Sequence, residues 1–278
     1  MAVKVVCVVN DVAMENRNLR SEHGLSLWIE TDQGVVLYDT GKSDEVLLHN
    51  AGVLNLNLNK VQALVLSHAH RDHTGGLGAI LEVNPACEVY AHSSIIQQRY
   101  SLQDGEYKTI GMSTQLQELL LQANHHFSAE STQVLPNLWT AGEVVNRLEP
   151  EGRSANHYIK TESGFQPDEY RDDLSLVLKT NKGLRVMCGC CHAGLLNTLL
   201  HIKEKFNQPI ISVVGGTHLL NADKQYLSHV IEVLNEHFPP IDFYLNHCTG
   251  EDAIRVFQQA FANLVNPFPA GSVVEFND

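Results

Sequence analysis

The segment Ser67-His68-Ala69-His70-Arg71-Asp72-His73 constrains this chain more than any other. Three imidazoles and one carboxylate fall within six residues. They come directly after Val61–Leu66, a run apolar at nearly every position that reads as a strand buried on both faces. Side chains two apart on an extended segment point the same way, so His68 and His70 can grip one cation. Asp72 and His73 lie past the turn and can reach a second. A pair of ions about 3.5–4 Å apart needs such a split set of ligands.

Two more histidines occupy the same kind of place. His192 follows a strand and opens a helix in Cys188-Gly189-Cys190-Cys191-His192-Ala193-Gly194, and His247 does so in Asn246-His247-Cys248-Thr249-Gly250. Strand ends on one edge of a layered α/β fold converge on one site, so both are expected ligands. His218, in Gly215-Gly216-Thr217-His218-Leu219, repeats the context and is expected to touch substrate or donate a proton. The chain has 15 histidines, and most read as surface or packing residues. His49, His92, His125, His126, His201, His229 and His237 belong there, as does His157 unless a lid brings it inward.

The remaining periodicity predicts strands at Lys4–Val9, Leu25–Glu30, Gly34–Tyr38, Glu88–Ala91, Leu138–Val145, Leu174–Thr180, Leu184–Cys188, Ile210–Val214 and Phe243–Leu245. Helices are expected from Ser43 to Asn50, around Leu116–Leu120, around Leu195–Ile202, across Leu227–Phe238, and across Ile254–Leu264. Two β-rich halves with helices between them predict an α/β fold, a four-layer αββα sandwich. The expected organisation is one domain over 1–278, with an insertion or lid at about 93–170. Glu149–Tyr170 is polar and reads as a long loop, and such loops in compact domains are usually functional or mobile.

Charge excludes some partners. With 32 acidic and 19 basic residues the net charge is −13, and no run of Lys or Arg offers a phosphate backbone a foothold. No apolar stretch approaches the ~20 residues that cross a bilayer. The apolar start is ended by Asn10 and Asp11 and reads as a strand, not a signal peptide. Three of the six cysteines sit within Cys188–Cys191, which suits thiols more than a disulfide framework. The expectation is a cytoplasmic protein with a small-molecule substrate, no nucleic-acid or membrane partner, and a homo-oligomeric state left open.

His68-x-His70-x-Asp72-His73 followed by Gly75-Gly76 resembles the signature of the metallo-β-lactamase superfamily. Glu22-His23-Gly24-Leu25-Ser26, Asp39-Thr40-Gly41, Ala141-Gly142-Glu143-Val144 and the segments around His192, His218 and His247 resemble one branch. That branch is the proteins similar to dihydropterin–ribofuranosylaminobenzene 5′-phosphate synthase. The chain departs from the wider superfamily before the strand at 174. Arg171-Asp172-Asp173 stands there without a histidine, and Cys190 falls roughly where a bridging Asp is usual. The resemblance implies that His192 replaces the missing imidazole and that Cys190 or Asp172 serves as an extra ligand.

The expected chemistry is hydrolysis of a small ester-type substrate, phosphorylated if the branch resemblance holds, by a hydroxide between two divalent ions. His68, His70 and His192 hold one ion; Asp72, His73 and His247 hold the other. Asp72 orients the nucleophile, and His218 binds or protonates the leaving group. Zinc leads, with Mn or Fe as alternatives. Asp39 and Glu143 either fix a polar group of the substrate or hold loops. A metabolite sensor that lost turnover and an iron oxidoreductase are the competing readings.

Overall fold

The computed structural model describes residues 2–15 and 17–277. Two seven-stranded sheets stack face to face. The first runs, edge to edge, Val273–Asn277, Ala2–Val9, Ser26–Thr31, Gly34–Tyr38, Val61–Val65, Glu88–Ala91, His125–Phe127. The second runs Val265–Pro267, Asp242–Leu245, Ile210–Gly215, Leu184–Cys188, Leu176–Lys179, Leu138–Thr140, Gln133–Leu135.

Alternation along each strand builds the layers. Val36, Tyr38, Ala63 and Val65 join Leu176, Leu178, Met187 and Val214 in the core between the sheets. Their neighbours Leu37 and Leu64 turn outward, onto Leu47, Leu77, Ile80 and Leu120 of the helices Asp44–Val53, Leu77–Val83 and Thr114–Gln122. Val177, Val186 and Val213 turn the other way, onto the helices Leu195–Phe206, Lys224–His237 and Glu251–Phe261. The result is the αββα sandwich. Each fully buried Leu or Ile in these layers contributes about 1.5–3 kcal/mol by leaving water. Three helices start on side-chain caps: Ser43, Ser113 and Asp223 accept the N–H of Val46, Leu116 and Tyr226, each worth about 1 kcal/mol.

Strands Leu184–Cys188, Ile210–Gly215 and Asp242–Leu245 are parallel, so their carboxyl ends share one edge of their sheet. Those ends lead into His192, His218 and His247. Val61–Val65 is parallel to both its neighbours and leads into His68. At Gly75 an added Cβ would lie 2.0 Å from the Lys42 carbonyl oxygen, so the glycine after the cluster has no room for a side chain.

The structure corrects two expectations. Leu138–Val145 is a strand only over Leu138–Thr140. Glu149–Tyr170 is not one long loop. It contains His157–Thr161 and Gly164–Pro167, which pair with Arg99–Gln103 and Glu106–Thr109 in a separate four-stranded sheet. Polar residues on both faces of these short strands hide the alternation that identifies a half-buried strand. Among the described residues no helix is long and apolar enough to cross a membrane.

Candidate metal centre

His68, His70 and His192 bring one ring nitrogen each to within 4.8 Å of the others, and all three residues are buried. Asp72, His73 and His247 form a second such group. The Asp72 Oδ2 atom lies 3.5 Å from His73 Nε2 and 3.6 Å from His247 Nε2. The two Nε2 atoms are 3.2 Å apart.

The hydrogen bonds around these rings fix which nitrogen each offers. Asp39 is fully buried and accepts three bonds: from Ser67 N at 2.7 Å, Ser67 Oγ at 2.7 Å and His73 Nδ1 at 2.7 Å. The Ser67 hydroxyl has one proton and gives it to Asp39. His68 Nδ1, 2.9 Å from that oxygen, must therefore donate to it. His247 Nδ1 likewise meets Asp11 Oδ1 at 2.7 Å. In each neutral ring Nε2 is then the bare lone pair. The Nε2 atoms of His68 and His70 and both nitrogens of His192 are buried without a hydrogen-bond partner. Buried imidazole nitrogens left unpaired are costly unless something electrophilic meets them. A carboxylate or hydroxyl behind a ligating histidine is the usual device that fixes its tautomer. The donor set fits divalent metal ions.

Electrostatics agree with that fit. Burial holds His68, His70 and His192 well below the ordinary imidazole range, so they are neutral and ready to ligate. Burial pulls His73 down too, but the Asp39 and Asp72 carboxylates outweigh it and raise it to about 9. Asp72 sits well below the usual carboxylate range, because His73, His247, His70 and His23 overcome its desolvation.

The structure brings His68, His70, Asp72, His73, His192 and His247 together, with Cys190 and His218 beside them. Cys190 Sγ lies 3.3 Å from His73 Nε2 and groups with His68 and His73. The His218 ring is 4.3 Å from that of His192. Asp172 stands outside every donor group among the described residues. Its Oδ2 accepts Ala69 N–H at 2.8 Å and its Oδ1 accepts Arg99 Nη2 at 2.8 Å. Both oxygens are committed to holding the loop between His68 and His70, in place of the ligand role the sequence offered to Asp172.

Four participants carried no assigned role in the sequence. His23 bridges Asp11 at 2.8 Å and Asp72 at 3.3 Å. Cys248 accepts the His218 N–H at 3.2 Å. His157 is hydrogen-bonded to Tyr170 and packs its ring 5.4 Å from that of His70, and Tyr170 stacks on His192 at 3.9 Å. The only sequence signal for His23 was its place in the Glu22–Ser26 motif. His157 comes from the small sheet, whose strands were not legible. Glu143 pairs with Arg171 and His92 away from the donor groups. The donors open into a cleft of about 340 Å³, walled also by Lys42, Arg71, Ser154 and Leu220.

Paired sheets with a histidine and aspartate cluster at the strand ends define a protein of the metallo-β-lactamase fold, and residues 20–135 match the family model described as Metallo-beta-lactamase superfamily. The chain is 29% identical to the 7,8-dihydropterin-6-methyl-4-(beta-D-ribofuranosyl)-aminobenzene-5'-phosphate synthase of Methanocaldococcus jannaschii, over 99% of this chain and 97% of that one. It is 28% identical to an uncharacterised protein of the same organism, over 86% and 88% of the two chains. The crystal structure of Tm1679, a metal-dependent hydrolase of the beta-lactamase superfamily, superposes with a TM-score of 0.84 at 29% identity, covering 99% of this chain and 100% of that one.

Proposed function

We propose that this chain is a metal-dependent hydrolase of a small, phosphorylated, ester-type substrate. The observation that carries the reading is the pair of adjacent donor groups, one of three imidazoles and one of two imidazoles with a carboxylate. His68, His70 and His192 would hold one divalent ion, and Asp72, His73 and His247 the other. Zinc is the first expectation, and Mn or Fe suit the same donors. When bound, such ions acidify water and polarise a substrate oxygen.

The chain's own groups do the rest. Asp72 keeps its carboxylate ionised beside His23 and His73, where it can accept a hydrogen bond from a water and orient it. His218, with Nδ1 buried and unpartnered, is in reach of the cleft to donate to a leaving group. Lys42 and Arg71 set two cations on the cleft wall of a chain with net charge −13, which favours an anionic substrate there. The name of the Methanocaldococcus relative ends in a phosphate compound, which supports that substrate class.

That relative is called a synthase, and this favours a second reading in which the same cleft transfers a group to an acceptor other than water. Incubation of Zn- or Mn-loaded protein with phosphodiester, lactone and thioester substrates in ¹⁸O-labelled water tests both. Hydrolysis places the label in product. Turnover without label supports transfer. Failure of every substrate class, with tight binding of a small metabolite, overturns the enzyme reading in favour of sensing.

A further inference from the structure

Beside these imidazole-rich groups lies another with a different chemistry. Cys190 Sγ, Cys248 Sγ and a ring nitrogen of His218 all lie within 4.8 Å of one another. Both thiols are free and buried, yet all three residues line the cleft. The surroundings are shaped to them. A Cβ at Gly216 would come within 2.6 Å of Cys248 Sγ, so glycine there leaves the sulfur its space. The backbone N–H of His218 points at Cys248 Sγ from 3.2 Å, a bond that stabilises a ligating sulfur. His218 Nδ1 is buried without a partner.

We infer that Cys190, Cys248 and His218 form a further binding position for one soft metal ion, Zn²⁺, Cd²⁺ or Cu⁺, adjoining the two imidazole-rich groups at Cys190. Two sulfurs and one imidazole select thiophilic ions over Mg²⁺ or Mn²⁺. Zn–S and Zn–N bonds of about 2.3 and 2.0 Å put the ligand atoms of one ion about 3.5–4 Å apart, so the observed spacing closes on an ion with small side-chain movements. All three residues line the cleft, so a substrate sulfur or a water could complete the coordination from there. An ion here engages His218 and narrows the cleft, so soft ions in excess inhibit whatever reaction the cleft supports.

The test is a titration of reduced, metal-stripped full-length protein with Co²⁺ under anaerobic conditions, read by bound-metal analysis and by thiolate-to-cobalt charge-transfer absorption. The expected result is that Cys248→Ser binds one ion fewer than the unsubstituted protein and loses charge-transfer intensity, with an unchanged circular dichroism spectrum. His218→Ala weakens the same ion at least tenfold. Mn²⁺ shows no difference between the variants. Because the readout is a difference of one ion, it holds whether the imidazole groups take one ion or two. Equal stoichiometry and equal absorption in Cys248→Ser and the unsubstituted protein overturn the proposal. So does a charge-transfer band lost on Cys190→Ser alone, which would assign the only ligating sulfur to the neighbouring groups.

Discussion

His73 and His247 are 174 residues apart in the chain, yet their Nε2 atoms face each other at 3.2 Å inside the protein. Each ring is held from behind by a carboxylate, Asp39 on one and Asp11 on the other, both at 2.7 Å. Asp39 and Asp72 raise His73 to about 9, so its Nε2–H can donate to His247 Nε2 across this gap, and a metal ion held by both rings would take the place of that proton. The strand-end backbone at the site is strained. Cys191, His218 and His247 have φ of 55°, 51° and 48°, a region that non-glycine residues seldom occupy. Such conformations persist only where the surroundings over-determine them.

Removing metal should therefore cost stability. Dialysis against a chelator is expected to lower the midpoint of thermal unfolding, and Zn²⁺ or Mn²⁺ should restore it. At free metal 1,000-fold above Kd the gain is about 4 kcal/mol. Differential scanning calorimetry of both forms checks this, and equal midpoints would contradict it.

Asp39 and Asp11 hold the His73 and His247 rings from behind, at Nδ1. Asp39→Asn and Asp11→Asn are expected to weaken metal binding about 10–100-fold, the usual cost of losing a group behind a ligating histidine. Isothermal titration with metal reads this directly. His73→Ala should abolish one ion outright.

Asp172 separates holding from ligating. Arg99 is 2% exposed and pairs with Asp168 at 2.7 Å and Asp172 at 2.8 Å. Breaking one partner of a buried pair costs about 3–5 kcal/mol because the other charge stays buried. Arg99→Met should therefore destabilise the chain strongly in urea unfolding. Asp172→Asn should destabilise less, keep its metal content, and lower kcat through the displaced loop. Loss of an ion from Asp172→Asn at unchanged fold would restore it as a ligand.

Much of the site was legible because its residues sit where strands end. His68, His70, Asp72, His73, His192 and His247 each follow a short apolar run, and that run's parallel pairing carries the residue to the shared edge. The sandwich was legible for the same reason: alternation at Val36-Leu37-Tyr38 or Val186-Met187 marks two covered faces. What was hidden depends on contacts distant in sequence. Nothing near Asp172 says that Arg99 and the Ala69 N–H occupy its oxygens. Nothing near Asp11 says that it backs a histidine 236 residues away. The small sheet was hidden because Tyr107, Tyr158 and Phe165 cluster on one another instead of on a deep core.

Substrate charge is read at the cleft wall. Replacing Lys42 or Arg71 by Ala should raise KM for a phosphorylated substrate about tenfold or more, since a hydrogen bond to a charged group contributes about 1.5–3 kcal/mol. KM for an uncharged lactone should stay within a factor of about two. Equal changes for both substrates would assign these residues to the architecture of the cleft and not to an anion.

Asp173 gives a pH dependence with a definite sign. It is buried and accepts the Ala193 N–H, at 3.2 Å, on the turn that carries His192. Burial is the largest influence and raises its carboxyl to about 7. In the unfolded chain the group ionises near 4. Between about pH 4 and pH 7 the unfolded state gives up its proton while the folded state keeps it, so this residue's contribution to stability falls as pH rises through that window and levels off above it. Asp173→Asn removes the titration and keeps an oxygen for the Ala193 N–H. The variant should match the unsubstituted protein in urea unfolding near pH 4 and become progressively more stable than it up to pH 8. A difference that stays constant with pH would mean that the carboxyl is ionised throughout, with the Arg147 guanidinium outweighing its burial.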